Sequence, residues 1–351
     1  MRKLPIYFLI DVSESMVGEP VQLVEEGIGH IIKALKQDPY ALETVHIAVI
    51  IFAGEARTLV PLQELIQFYP PRLPIGGGTS LSKGLGHLMY ELRKNTIVTT
   101  PTQKGDWKPI VYLFTDGVPT DETRAVVAEW KQQWGTKANL VAIAFGQETD
   151  LQVLRSLTEN VFLFKNTSPR QYTDFFAWVT ASIRTSSISV DSNGSGFELT
   201  KFNDDVIEKV DVASIAPTAG LVDNNFAVFT AKCQRSQRPY LIKYQRDQQS
   251  SGFSGLDLNT RYYRLVGAFN VDNTYFELSD KDASHQHQIA SDELQGFPTC
   301  PSCGNQYGFS VCSCGHVHCT GQESISTCPW CGKSGDYGLG GGNMNLNRSQ
   351  G

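Results

Sequence analysis

Four short apolar runs limit what this chain can become. Residues 5–10, 44–52, 109–115 and 138–145 are each about one strand long and show no polar alternation. Such runs suit parallel strands covered on both faces. Helical patterns lie between them. Val24, Ile28, Ile31, Ile32 and Leu35 recur at helical spacing, as do Leu81, Leu85, Leu88 and Leu92. Val127, Trp130 and Trp134 mark a third helix, with Thr120 or Asp121 as its expected N-cap, and a fourth is expected over about 170–184. Strands alternating with helices predict an α/β fold over residues 1–185, a doubly wound, mostly parallel open sheet.

The texture then changes. Residues 186–196 are dominated by Ser, Asn and Gly and read as a linker. Residues 197–335 read as a small β-rich module. Within it, 226–233 and 239–245 predict a hairpin closed by Gln234–Arg238, and 261–269 with 273–279 predict another that turns near Asp272 and Asn273. Residues 336–351 are rich in Gly, Asn and Ser and are expected to be a disordered tail.

A length of 351 residues suffices for two or three domains with their own cores. A net charge of -6 with 19% charged residues argues against a nucleic-acid backbone or an anionic membrane as the main partner. No apolar run is long enough to cross a bilayer. Met1–Ile10 meets Asp11 with no small-residue cleavage site, so it does not read as a signal peptide, and a cytoplasmic location is expected. Seven of the 8 cysteines fall between Cys300 and Cys331. That clustering, without a secretion signal, points to metal rather than disulfides. There is no Walker loop, kinase signature or nucleophile elbow.

Asp11 ends the first apolar run, and Asp116 follows the 109–115 run in the same way. Residues just past the carboxyl ends of parallel strands gather along one sheet edge, and ligands bind there where strand order reverses. Ser13 and Ser15 alternate with Val12 and Glu14 before a helix expected to start near Glu19 and Pro20. Thr79 follows Gly76, Gly77 and Gly78, which let the backbone approach the site. Each piece alone could be an ordinary turn or cap. Together, two carboxylates and three hydroxyls are hard oxygen donors suited to Mg²⁺. Neutral hydroxyls leave the ion electrophilic, able to accept a carboxylate from a partner without cleaving a bond.

The second constellation is softer. Cys300-Pro-Ser-Cys303-Gly and Cys328-Pro-Trp-Cys331-Gly read as zinc knuckles, with Cys312, Cys314, His316, His318 and Cys319 between them. Seven cysteines and one histidine, taken as His318 because it adjoins Cys319, supply eight ligands, enough for one or two Zn²⁺. A single ribbon would use only the outer knuckles; a cross-braced pair would interleave all eight. Cys233 stands alone in a strand pattern and is expected in the core, and His46 and His87 are expected to be structural.

Asp11-x-Ser13-x-Ser15, Thr79 in Gly-Gly-Gly-Thr-Ser-Leu and Asp116 in Phe-Thr-Asp-Gly resemble the metal-ion-dependent adhesion motif of von Willebrand factor A domains, over about residues 1–185. That resemblance implies a six-stranded sheet, a bound Mg²⁺ or Mn²⁺, and protein-ligand binding. The stretch Gln37–Ile47 and the C-terminal chelating module further resemble the TerY family of tellurium-resistance proteins, over about residues 1–335. This implies a bacterial cytoplasmic protein of the tellurite and chemical-stress response, partnered by a serine/threonine kinase and a PP2C-type phosphatase. The expectation is a non-enzymatic adaptor. The alternatives are a RING-like ubiquitin ligase, although Cys312-x-Cys314 stands where Cys-x-His is usual, and an A-domain subunit of a chelatase or AAA machine.

Overall fold

A computed structural model of the chain describes residues 2–100, 102, 104–145, 150–164, 169–189, 199, 207–209, 225–246, 262–280, 288–320, 325–337 and 344–349. The chain divides into two compact units, one of Met1–Val12, Gly18–Leu73 and Thr79–Leu221, the other of Ser13–Val17, Pro74–Gly78 and Val222–Gly351. No helix among the described residues is long and apolar enough to cross a membrane.

The first unit is built on strands β1 (Leu4–Asp11), β2 (Val45–Phe52), β3 (Ala56–Glu64), β4 (Ile110–Thr115), β5 (Asn139–Phe145), β6 (Val161–Phe164) and β7 (Ile207–Lys209). Its helices are α1 (Glu19–Leu35), α2 (Pro39–Thr44), α3 (Leu81–Asn95), α4 (Arg124–Gln133), α5 (Leu151–Leu157) and α6 (Pro169–Ser189). The sheet order is β3-β2-β1-β4-β5-β6-β7. β1, β2, β4, β5 and β6 pair in parallel, and β3 and β7 join antiparallel at the two edges. Every residue of β1 is buried, as a strand covered on both faces requires. One face carries Tyr7, Leu9, Ile50 and Leu113 against Leu85, Leu88 and Leu92 of α3, Trp130 of α4 and Leu154 of α5. On the other face α1 packs on α6 so closely that a Cβ at Gly27 would lie 2.0 Å from the Phe176 ring. Phe176 in turn meets Phe114 of β4.

The doubly wound α/β expectation holds, with two differences of detail. The sheet has seven strands rather than six, because β7, expected in the downstream module, pairs with β6. The fourth helix continues to Ser189 rather than ending near 184. The rest of the expected linker, residues 190–196, lies outside the described residues.

The second unit holds β8 (Phe226–Lys232), β9 (Pro239–Arg246), β10 (Tyr263–Asn270), α7 (Thr274–Leu278), β11 (Gln288–Ala290), β12 (Leu294–Gln295), β13 (Ser310–Val311), β14 (Val317–His318), β15 (Ile325–Thr327), β16 (Ser334–Asp336) and β17 (Asn345–Asn347). Its main sheet runs β12-β10-β9-β8-β14-β13; β11 pairs with β17 and β15 with β16. The β8–β9 hairpin matches expectation. The second expected hairpin does not form: β10 pairs back on β9, and residues 274–278 are helical. Asp272 explains the helix, because its carboxylate accepts hydrogen bonds from the Thr274 N–H and hydroxyl. Part of the expected disordered tail is also ordered. β17 pairs with β11, Leu346 is buried, and the Ser349 N–H donates to the Val228 carbonyl at 2.8 Å. Lys243 of β9 is buried, its ammonium donating to the Ser15 and Val17 carbonyls. The Tyr275 hydroxyl donates to Glu14, whose carboxyl is pushed up to about 8 by burial against that hydrogen bond.

Candidate metal centres

Strand order reverses between β1 and β4, whose neighbours lie to opposite sides. Asp11 is the last residue of β1 and Asp116 directly follows β4, so both carboxylates stand at the same edge of adjacent strands. Thr115 ties them: its hydroxyl donates to Asp11 Oδ2 at 2.6 Å. Past Asp11 the chain makes a single turn, Glu14–Met16, before Gly18, at φ 92°, admits helix α1 at Glu19 with Pro20 in its first turn. The Ser13 and Ser15 hydroxyls lie 2.9 Å apart in that turn.

Thr79 is fixed to the loop that follows Asp116. Its N–H donates to the Thr120 hydroxyl at 3.0 Å, and the Thr120 N–H donates to the Thr79 carbonyl at 2.9 Å. Asp121, expected to cap the next helix, instead accepts hydrogen bonds from the Ser80 hydroxyl and the Ser82 N–H, clamping the same two loops; Thr123 stands at the head of α4. The Thr79 hydroxyl is buried and has no hydrogen-bond partner among the described residues. A buried hydroxyl without a partner costs about 1–3 kcal/mol. A hard cation would satisfy it, and within the first unit Thr79 and the Asp11 and Asp116 carboxylates are hard oxygen donors of the kind such an ion takes.

The cysteines form two groups of four, Cys233, Cys300, Cys303 and Cys319, and Cys312, Cys314, Cys328 and Cys331, with all sulfurs in a group within 4.8 Å of one another. None is in a disulfide. Sulfur pairs stand at 3.8 Å for Cys303 and Cys319, 3.7 Å for Cys312 and Cys331, and 3.8 Å for Cys314 and Cys328. A tetrahedron with metal–sulfur bonds of about 2.3 Å has edges of about 3.8 Å. Both groups therefore fit a tetrahedral thiolate-bound metal.

The two outer knuckles belong to different groups, which excludes the single ribbon and leaves the interleaved arrangement. His318 is in neither group; Cys233 takes the place expected for it. His318 is the last residue of β14, and Cys319 lies just past the strand. The His318 ring is buried, and its Nδ1–H donates to the Cys319 carbonyl at 2.9 Å. His316 stacks on Trp330 with ring centroids 4.8 Å apart.

Cys233 carried a signal that the sequence reading passed over. In each outer knuckle, the glycine after the second cysteine adopts φ +74° and donates its N–H to the first cysteine's carbonyl at 2.9 Å. Cys233-Gln-Arg-Ser236-Gln237 repeats that turn. Gln237 has φ 59°, its N–H donates to the Cys233 carbonyl at 2.9 Å, and Ser236 occupies the second cysteine's place. It is half a knuckle, completed by Cys319.

Electrostatics agree with a cation at each group. Burial pushes Cys300 up to about 11 and Cys314 up to about 12. Burial also acts upward on Cys312, but hydrogen bonds, the Tyr337 hydroxyl foremost, outweigh it and bring that thiol down to about 5. For Cys233, hydrogen bonds from Ser236 and Arg235 outweigh burial and bring it down to about 7. In each group one thiol is held down, Cys233 or Cys312, while burial holds others up, Cys300 and Cys319 or Cys314 and Cys328; a dication removes that conflict.

Comparison with known proteins agrees with this division. Residues 6–178 match the family model described as von Willebrand factor type A domain, and residues 223–351 match the one described as TerY-C metal binding domain. No curated protein matches the chain. Among solved structures, the chain is similar to a von Willebrand factor type A protein from Catenulispora acidiphila, at 19% identity over 52% of this chain and 42% of that one, with a TM-score of 0.40. It is also similar to the ArnB paralog VWA2 from Sulfolobus acidocaldarius, at 16% identity over 52% and 45% of the two chains, with a TM-score of 0.39. A third is proximal thread matrix protein 1 from the mussel byssus, described with a zinc-occupied adhesion motif, at 18% identity over 51% and 46%, with a TM-score of 0.36. The chain spans less than half the length of each of these relatives.

Proposed function

Since the chain joins a von Willebrand factor type A domain to a TerY-C metal binding domain, the architecture of the TerY family, we propose that it is a non-enzymatic adaptor of the bacterial tellurium-resistance and chemical-stress response. In this reading Mg²⁺, or Mn²⁺ in its place, is held by Asp11, Ser13, Ser15, Thr79 and Asp116 and accepts an acidic or phosphorylated group of a partner protein. Zn²⁺ fills both cysteine groups and shapes a module too small to rest on an apolar core alone. The protein works in the cytoplasm, with a serine/threonine kinase and a PP2C-type phosphatase as partners.

The observation that carries this reading is the buried Thr79 hydroxyl, which has no partner among the described residues. The test is a pull-down from cell lysate with the purified chain as bait, in Mg²⁺ and in EDTA, alongside Asp116→Ala. The expected result is capture of a kinase or phosphatase only with Mg²⁺ and intact Asp116. Equal capture in EDTA would overturn the metal-dependent part of the reading.

One observation keeps a second reading in play. The cysteines interleave along the chain in the cross-braced manner of RING-like ubiquitin ligases, although Cys233 comes from an upstream hairpin. An autoubiquitination assay separates the two readings, because an adaptor yields no conjugates.

A further inference from the structure

The two cysteine groups share a strand. Cys312 and Cys314 lie in the turn between β13 and β14 and belong to one group, while Cys319 directly follows β14 and belongs to the other. β14 pairs in parallel with β8, and β8 leads straight to Cys233. Cys319 can therefore approach Cys233 only when β14 is docked on β8, and the Cys319 N–H donates to the Lys232 carbonyl at 3.3 Å.

Trp330, within the Cys328–Cys331 knuckle, fastens that docking from the other group. Its indole N–H donates to the Val317 carbonyl of β14 at 2.8 Å, and the Lys232 ammonium of β8 lies 4.3 Å from its ring centroid. A second tie passes through Tyr337. Its hydroxyl hydrogen-bonds to Cys312, and its ring meets the buried His318 ring edge-on with centroids 4.6 Å apart. His318 in turn holds the Cys319 carbonyl.

We infer that the two four-cysteine groups form one coupled metal-binding unit, in which filling either group orders the β8–β14 pair and prepares the other. Trp330 and Tyr337 are the positioning residues that carry the coupling. The cost of ordering β14 is met once, by whichever metal binds first, so the second binds more tightly with no new ligand. The inference rests on the reading that both groups hold metal.

Cobalt(II) titration of the metal-stripped full chain, followed by thiolate-to-metal charge-transfer absorption, tests this. In Cys328→Ser/Cys331→Ser, the first group should bind cobalt at least about fivefold more weakly than in the wild type, and in Cys233→Ser/Cys303→Ser the second group should weaken by the same factor, as linkage requires. Trp330→Ala retains all eight thiols and should convert one steep binding step into two. Tyr337→Phe should shift the charge-transfer band of the second group alone. If a serine variant does not fold, the Trp330→Ala titration decides the matter. Unchanged affinities in the serine variants, or a single step in Trp330→Ala, would overturn the coupling while leaving metal binding intact. An absence of charge-transfer absorption in the wild type would overturn the metal reading itself.

Discussion

Thr79→Val puts the oxygen site to a thermodynamic test that needs no partner protein. Valine keeps the β-branch and nearly the shape of threonine but lacks the hydroxyl. In EDTA that hydroxyl is buried and without a partner among the described residues, a state that costs about 1–3 kcal/mol. The variant should therefore be more stable than the wild type by that amount. For a domain of this size, 1 kcal/mol moves the melting temperature by about 2–4 °C. In Mg²⁺ the order reverses. Free metal at a thousand times its dissociation constant stabilises the wild type by about 4.1 kcal/mol, and the variant, one ligand short, gains much less. Thermal unfolding by circular dichroism, with both proteins in EDTA and in Mg²⁺, reads the four values. The reasoning fails if Thr79→Val is destabilised equally in both conditions, because the hydroxyl then has an ordinary structural partner and no metal acts on it.

Further expectations follow from other parts of the molecule. Native mass spectrometry should show two zinc ions per chain in the wild type, one in Cys233→Ser and two in His318→Ala; a single zinc in His318→Ala would restore the histidine as a ligand. Gly27→Ala should destabilise the first unit by about 1–3 kcal/mol through overpacking, because its Cβ would lie 2.0 Å from the Phe176 ring; urea unfolding checks this. Burial lowers the pKa of His87 from its ordinary 6.5, so the unfolded chain takes up a proton first as pH falls. His87 therefore contributes stability that is fully present above 6.5 and lost as pH drops through its lowered folded value. His87→Gln should flatten the fall in melting temperature between pH 6.5 and that lowered value, and an unchanged slope there would refute the assignment.

How much of this was legible in the sequence depended on distance along the chain. Asp11 and Asp116 are far apart, yet each announces itself locally by ending an apolar run, and the sheet does the rest. Thr79 is legible for a similar reason, since its glycines and the helix after it are neighbours. Three features were not legible, each because a distant partner decides it. Cys233 is brought to Cys300, Cys303 and Cys319 only by the β8–β14 pair. The Asn345–Asn347 stretch resembles a solvated tail until β11 is beside it. Asp272 and Asn273 serve equally to turn a hairpin or to start a helix, and β10 settled the matter by pairing with β9. His318 is a different failure. Adjacency to Cys319 suggests a shared metal, yet the buried His318 ring holds the Cys319 carbonyl and stands outside both cysteine groups.

The outer strand β3 bears on how the first unit behaves when concentrated. A free sheet edge invites another chain to pair with it, the first step of aggregation. Along β3, Pro61 is exposed and offers no N–H, and the register with β2 slips on both sides of Val49. Proline and irregular pairing are the devices that blunt an edge. Pro61→Val would restore a continuous row of donors there, and turbidity on heating is where the difference would first be seen.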